Sequence, residues 1–222
     1  MDNDIISRYS KFYQENGKKS GRWPTEFLVR AILGSSYNLA QNQKFERALD
    51  LGFGDGRNLN LLRSIFLDVH GLEIAEDICE RARSEFQNCT FAVGQSHSIP
   101  YEASFFDLIA AVHSIYYCQT ASFDAILEEC HRTLRPDGRF LFSVPKSSSY
   151  LLVGARIDKC EYAIINNDPL KIRNGVRIKF FESMDTIKVS LGSFNFREIS
   201  IGSVEADWWG LKEHYWIVSA IR

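Results

Sequence analysis

The sequence predicts an α/β fold built on a doubly wound, mostly parallel sheet, and three observations carry that reading. Short apolar stretches with strand character alternate with longer stretches whose apolar residues recur at helical spacing. The first strand runs straight into a glycine-rich turn and a helix, through Gly52-Phe53-Gly54-Asp55-Gly56. The fourth, Phe106 to Val112, is apolar on both faces, as befits a strand covered by helices on both sides. Alternation at this rhythm calls for right-handed βαβ units.

The elements follow in order. Trp23-Pro24-Thr25 reads as a helix entrance, and Glu26 to Ala40 carries Phe27, Val29, Ala31, Ile32 and Tyr37 at helical spacing. Arg47 to Leu51 is a short buried strand, after which Leu59, Leu62, Arg63 and Phe66 keep a helical period. Asp68 to Glu73 is the second strand, and Ala75 to Phe86 an amphipathic helix with Ile78, Ala82 and Phe86 on one face. Thr90 to Val93 is the third strand. Ser122 to Leu134 is a helix closed by Arg135-Pro136-Asp137-Gly138, and Arg139 to Val144 is the fifth strand. The tail differs: Val176 to Phe181 and Phe196 to Ile201 alternate like strands, and Tyr215 to Ile221 is an apolar strand, which predicts an antiparallel edge. Between them Ser147 to Gly175 is irregular, with turns at Asn166-Asn167-Asp168-Pro169 and Asn174-Gly175.

Composition narrows the function. The chain of 222 residues is 45% hydrophobic and 24% charged, which is ordinary for a globular protein. With 26 Lys and Arg against 28 Asp and Glu, the net charge of −2 offers no whole-chain attraction to a phosphate backbone, so no nucleic-acid partner is expected. Apolar runs are too short to span a bilayer, and the polar stretch from Met1 to Trp23 lacks the apolar core of a signal peptide; a cytoplasmic protein without a membrane partner is expected. The five cysteines, Cys79, Cys89, Cys118, Cys130 and Cys160, form no C-x-x-C pair, so they read as free, buried thiols, and no metal site is expected. No repeat period shows itself.

A strand, a glycine turn and a helix together present backbone N–H groups to a polar ligand, and glycine lets that ligand approach the backbone. The spacing is G-x-G-x-G, at Gly52, Gly54 and Gly56; the third glycine of a dinucleotide fingerprint would fall at position 57, which is Arg57. Asp50 precedes the turn. The second strand ends in Glu73, 17 residues after Gly56, where a carboxylate can accept both hydroxyls of a ribose.

On these residues the chain resembles the class I S-adenosylmethionine-dependent methyltransferases. Ala48-Leu49-Asp50-Leu51-Gly52-Phe53-Gly54-Asp55-Gly56-Arg57-Asn58 is similar to the first motif of that superfamily, and Gly71-Leu72-Glu73-Ile74-Ala75 to its second-strand end. Gly94 to Tyr101, followed by Phe106-Asp107-Leu108-Ile109, resembles the adenine loop and fourth strand, and Leu134 to Arg139 the turn before the fifth. The matches cover about residues 45–145 in order. The resemblance implies a Rossmann-like, seven-stranded sheet with a reversed terminal strand, binding S-adenosylmethionine and releasing S-adenosylhomocysteine. It implies that Asp50, Gly52 and Gly54, with Phe53 and Gly56 of the same loop, surround the methionine part. It also implies that Glu73 holds the ribose, Ile74 packs on the adenine, and Gln95 and Ser96 meet the adenine's amino edge. Where the superfamily usually carries Asp, this chain has Gln95, whose amide can still accept a hydrogen bond but without charge. The expected organisation is a single domain over 1–222, with a helical cap at 1–44 and a cofactor-binding core at 45–145. An insertion at 146–182 is a candidate acceptor region, and a terminal helix and strand pair fills 183–222.

The acceptor side should follow the fourth strand, because ligands sit beyond the C-terminal ends of parallel strands. There stand His113, Ser114, Tyr116 and Tyr117. His113, bordering cofactor and acceptor, is the candidate base for a hydroxyl acceptor, with activity rising through the pH range of an ordinary imidazole; for an amine it would only orient. Tyr116 and Tyr117 join it as candidate catalytic residues, as pocket wall more than as bases. Two aromatic clusters, Tyr9-Phe12-Tyr13-Trp23 and Trp208-Trp209-His214-Tyr215-Trp216, read either as acceptor wall or as staples for the terminal elements. The four cations from Lys171 to Lys179 read either as a site for an anionic acceptor or as a solvated edge strand. The expected function is methyl transfer to an O or N atom of a small molecule, such as a sugar derivative or secondary metabolite, by a monomer or homodimer. Two alternatives stand beside it: an NAD-type oxidoreductase, against which the Arg57 spacing speaks, and a non-catalytic cofactor-binding protein.

Overall fold

The structure, a computed structural model, describes residues 3–16, 23–34 and 46–222. In chain order its elements are α1 (Asn3–Asn16), α2 (Glu26–Leu33), β1 (Arg47–Leu51), α3 (Leu59–Arg63), β2 (Asp68–Glu73), α4 (Glu76–Glu85), β3 (Thr90–Val93), β4 (Phe106–Ala111), α5 (Phe123–Thr133) and β5 (Leu134–Pro145). There follow β6 (Arg156–Ile157), β7 (Tyr162–Ile164), β8 (Arg177–Lys179), α6 (Met184–Gly192), β9 (Arg197–Trp208) and β10 (Leu211–Ile221). The predicted run of helix from Gly34 to Ala40, with Tyr37, lies outside the described residues save Gly34, which caps α2.

Seven strands form one sheet in the order β3-β2-β1-β4-β5-β10-β9. The pairs among β1 to β5 are parallel, and β10 alone runs against its neighbours. The reversed strand therefore lies one place in from the edge: β10 inserts between β5 and β9 and pairs with both. The sequence reading placed an antiparallel pair at the edge; strand alternation reveals that two strands pair but not which is inner.

The period-two alternation of the central strands divides the core. Leu49, Leu51, Ile109, Phe140 and Phe142 face α5 and α6, whereas Ala48, Val69, Leu108, Ala110 and Leu141 face α2, α3 and α4. All ten are buried. Fully burying one such branched or aromatic side chain stabilises by about 1.5–3 kcal/mol, which explains why β1 and β4 form the sheet's middle. α5 starts where Ser122 Oγ accepts from Ala125 N (3.2 Å), and α6 where Ser183 Oγ accepts from Thr186 N (3.2 Å). β5 begins five residues earlier than predicted: Leu134 pairs with Phe106, and the ladder resumes at Arg139 opposite Leu108 after a register shift that absorbs Arg135-Pro136-Asp137-Gly138.

The segment read as irregular is folded. β6, β7 and β8 form a separate antiparallel sheet, tied to the chain after β4 by Lys179 N donating to Tyr116 O (2.8 Å) and Cys118 N to Arg177 O (2.9 Å). α1 spans two anchors. Ser10 and Gln14 donate to Asp77 at the start of α4, and Arg8 Nη1 donates to the Asn174 carbonyl (3.0 Å). No helix among the described residues is long and apolar enough to cross a membrane.

Gly56 shows what the fold demands of the turn after β1. Its φ is +77°, and a Cβ there would lie 2.7 Å from the ring of buried Phe86. Gly56→Ala is expected to cost about 2–3 kcal/mol, a fall in Tm of roughly 5–10 °C by calorimetry for a chain of this size.

Candidate active site

β1 and β4 end side by side, and their exits are in contact. Gly52, at φ +74°, has no room for a side chain: a Cβ would lie 2.5 Å from Ser114 Cβ. Ser114 Oγ in turn donates to the Leu51 carbonyl, and Gly52 N donates to the Leu72 carbonyl (2.8 Å). The glycine turn is thereby fixed against both neighbouring strands.

Glu73 completes the turn. Its Oε2 accepts from Gly54 N (3.1 Å) and its Oε1 from Ile74 N (2.7 Å), which leaves lone pairs on both oxygens for a ligand's hydroxyls. Burial raises the pKa of this carboxyl, and the two backbone N–H groups pull it back. Asp50 is a different acid. It is 1% exposed, its Oδ2 has no hydrogen-bond partner, and burial, reinforced by Glu73 and Asp55, pushes its pKa up to about 8. At neutral pH it is protonated.

A cavity of about 150 Å³ opens here, bordered by Gly52, Glu73, Ile74, Gln95, Ser96 and His113, six of the residues singled out from sequence. Gln95 Oε1 accepts from Thr120 Oγ1 (3.1 Å), which orients the amide. Its loop is tied to α5, where Glu129 Oε2 accepts from Ile99 N (2.8 Å) and Arg132 donates to the Ile99 and Tyr101 carbonyls. The remaining predicted cofactor residues lie behind this wall. Asp50 is packed in the sheet, Phe53 turns its ring onto Phe91 (centroids 5.1 Å apart), and Gly56 packs on Phe86. Gly54 is covered by Tyr13, whose hydroxyl would lie 2.6 Å from a Cβ there. α1 roofs the cavity with Ile5, Ile6, Tyr9 and Tyr13, and sequence reasoning registered only the two tyrosines, as part of an aromatic cluster.

A second chamber, of about 230 Å³, adjoins the first. Gly52, His113 and Tyr117, with Tyr9 and Tyr13 above, border both spaces. Tyr116, Tyr150, Tyr215, Arg57, Arg173 and Glu213 border the second alone. The candidate catalytic residues therefore separate: His113 and Tyr117 border both chambers, and buried Tyr116 reaches only the second. The C-terminal aromatic cluster separates too. Tyr215 enters the chamber, Trp216 is buried and donates Nε1–H to the Phe181 carbonyl (2.9 Å), and Trp208 and Trp209 are exposed around the β9–β10 turn.

His113 has φ +54°, uncommon for a residue with a side chain and consistent with a backbone held by its surroundings. Its N–H donates to Ser143 Oγ on β5 (2.8 Å), and its Nδ1 lies 3.2 Å from the same oxygen. The Ser143 hydroxyl is buried, and Nδ1 is the acceptor available for its proton among the described residues. Nδ1 therefore accepts, and the neutral ring carries its hydrogen on Nε2. The ring faces open chamber space yet is enclosed by protein, and this desolvation, helped by Arg57 and Arg173, lowers its pKa to about 4. This corrects the expectation of an ordinary imidazole titration. Burial likewise raises the phenol of Tyr116, so that it keeps its proton.

The comparisons agree with this geometry. The family described as "Methyltransferase domain" matches residues 49–142, from β1 through most of β5. Residues 49–142 are thus similar to a methyltransferase domain, which supports the resemblance to the class I S-adenosylmethionine-dependent methyltransferases over that stretch. A malonyl-[acyl-carrier protein] O-methyltransferase from Methylococcus capsulatus is 33% identical over 102 residues, 44% of this chain and 36% of that protein. The chain spans about a third to two fifths of the length of such curated relatives. Among solved structures, the 1,6-didemethyltoxoflavin-N1-methyltransferase of Burkholderia thailandensis, with bound 1,6-didemethyltoxoflavin and S-adenosylhomocysteine, superposes with a TM-score of 0.64 at 19% identity, covering 99% of this chain and 86% of that one. The PH0226 protein of Pyrococcus horikoshii gives 0.65 at 18% identity, covering 95% and 98%.

The first cavity suits S-adenosylmethionine, the methyl donor of this superfamily. It offers a carboxylate with unused lone pairs, a turn whose atoms a single Cβ would displace, and apolar walls from Leu72, Ile74 and Ile78. Asp50 gives this site a measurable pH signature. Its carboxyl titrates near 8 when folded and near 3.9 in an unfolded chain, so the folded form holds the extra proton between those values and stability falls as pH rises across them. Asp50→Asn imitates the protonated acid. It is expected to flatten that slope and melt higher than the parent at pH 8, read from unfolding curves between pH 5 and 9.

Proposed function

We propose that this protein transfers a methyl group from S-adenosylmethionine to a small molecule held in the second chamber. One observation carries the reading: a second chamber adjoins the first, and Gly52, His113 and Tyr117 border both. Methyl transfer is an in-line displacement, which requires donor and nucleophile on opposite sides of the moving carbon and gains mainly from holding them aligned. When bound, S-adenosylmethionine supplies an electrophilic methyl on a sulfonium.

The chain's own residues supply position. Glu73 receives the ribose hydroxyls, while Gly54 and Ile74 hold its carboxylate in place. Ile74 and Gln95, both bordering the cavity, would frame the adenine, with Thr120 fixing the amide. Uncharged His113 leaves the sulfonium's positive charge unopposed, and its Nε2–H is a donor, suited to orienting an acceptor oxygen rather than removing a proton. A base with a pKa near 4 is poorly matched to deprotonating a hydroxyl at neutral pH, so the reading favours an acceptor that is nucleophilic without help. The phenols of Tyr116 and Tyr215, kept protonated by burial, shape the chamber. The oxidoreductase alternative lacks a third glycine at position 57, where Arg57 instead clasps Asp55 through Nε and Nη2 (3.1 and 2.9 Å).

Two outcomes test this function. Calorimetric titration should show saturable S-adenosylhomocysteine binding and no comparable response to NAD, and Glu73→Ala should weaken that binding by about 1–3 kcal/mol in a folded variant. Binding of NAD alone would overturn the reading. For His113, turnover should show no slope from imidazole between pH 6 and 8, because the ring is neutral throughout. His113→Gln, which keeps an N–H donor, should retain at least tenfold more turnover than His113→Ala, with S-adenosylhomocysteine affinity intact in both. Equal loss in the two variants, with an acid limb near pH 6.5, would return His113 to the role of base.

A further inference from the structure

The cation-rich stretch from Lys171 to Lys179 divides on folding. Lys171 is exposed. Arg177 lies over the Tyr162 ring (3.6 Å), and Lys179 pairs with Glu161 (3.0 Å) and the Cys160 carbonyl (2.8 Å). Of the four, only Arg173 borders the second chamber.

Arg173 is set in a preformed mount. Its backbone N–H donates to Asp168 Oδ2 (3.0 Å), Asp168 N donates to Asn174 Oδ1 (2.9 Å), and Arg8 of α1 holds the Asn174 carbonyl. The side chain is only 12% exposed, yet its fork is largely unused. Nη1 donates to Tyr150 Oη (2.6 Å), whereas Nε is buried without a hydrogen bond, 3.4 Å from Asp168 Oδ1, and Nη2 has no partner among the described residues. The guanidinium is thus ion-paired to Asp168 through its Nε edge and bonded to Tyr150 through Nη1, while the remaining donors of its fork have no partner among the described residues; the planar partner that fits such an edge is a carboxylate.

We propose that Arg173 binds a carboxylate of the methyl acceptor, so that the substrate is a small organic acid whose body lies among Tyr116, Tyr117, Tyr150 and Tyr215. This rests on the second chamber being the acceptor site. A single negative charge suits the surroundings better than two: Asp168 already stands behind the guanidinium, and Glu213 borders the chamber, so a dianionic phosphate meets more repulsion than a carboxylate.

The test titrates the full chain, with and without saturating S-adenosylhomocysteine, with three probes of one shape: benzoate, benzamide and phenyl phosphate. Benzoate should bind at least tenfold tighter than benzamide, and Arg173→Gln should reduce that preference to within twofold while leaving S-adenosylhomocysteine affinity unchanged. Equal affinity for benzoate and benzamide, no binding of any probe, or a preference that survives Arg173→Gln would overturn the proposal. Tighter binding of phenyl phosphate than of benzoate would overturn the carboxylate assignment in favour of a phosphate. If S-adenosylhomocysteine fails to bind, the cofactor reading falls, and the titrations without it still decide the anion site. Should Arg173→Gln not fold with Asp168 left unpaired, the double variant Arg173→Gln/Asp168→Asn removes both charges together, and the same loss of preference is expected.

Discussion

The contact between Gly52 and Ser114 sets the geometry of everything around it. Two parallel strands at the centre of a sheet leave at the same level, and the chain after each must turn away within a few ångströms of the other. That is possible only because one exit lacks a side chain and the other carries a small one whose hydroxyl returns to the first strand's carbonyl. With this contact made, the glycine turn faces one way and His113, the residue before Ser114, lies beside it. A larger residue at either position would separate β1 from β4 and with them the two chambers.

What the sequence made legible follows from where its signals are local. β1, β2 and β4 are buried, continuous and short, so the run of residue types identifies them, and Glu73 is marked by its place at a strand end. Seven-strand topology, the glycine turn and six residues of the first cavity followed. The second chamber was legible only as fragments, because its walls come from segments far apart in the chain. Arg8 meets Asn174 across 166 positions, and His113 meets Ser143 across 30. No periodicity encodes that Arg173, rather than Lys171 or Lys179, borders the second chamber. Nor could the alternation of Tyr215 to Ile221 reveal that β10 lies inside β9.

Burial also rewrites the charges that the sequence suggests. Counted from residue types, the region holds several acids, a histidine and a group of phenols; in the fold, Asp50 is protonated, His113 is neutral and the phenols keep their protons. Of the charged groups beside open space, Glu73 borders the first chamber, whereas Asp55, Arg57, Arg173 and Glu213 border the second.

The position of β10 has a consequence for how the molecule is built. β9 reaches the main sheet only through β10, which is made after it. During synthesis β9 therefore has no sheet neighbour until the ribosome has released the strand that follows, and the open side of β5 stays unpaired for the same interval. Tyr215 and Glu213 arrive on that late strand, while Tyr9 and Tyr13 arrive earlier, on α1. The second chamber is bounded by segments made far apart in time, so it cannot form before β10 is made, even when the glycine turn and Glu73 are already in place.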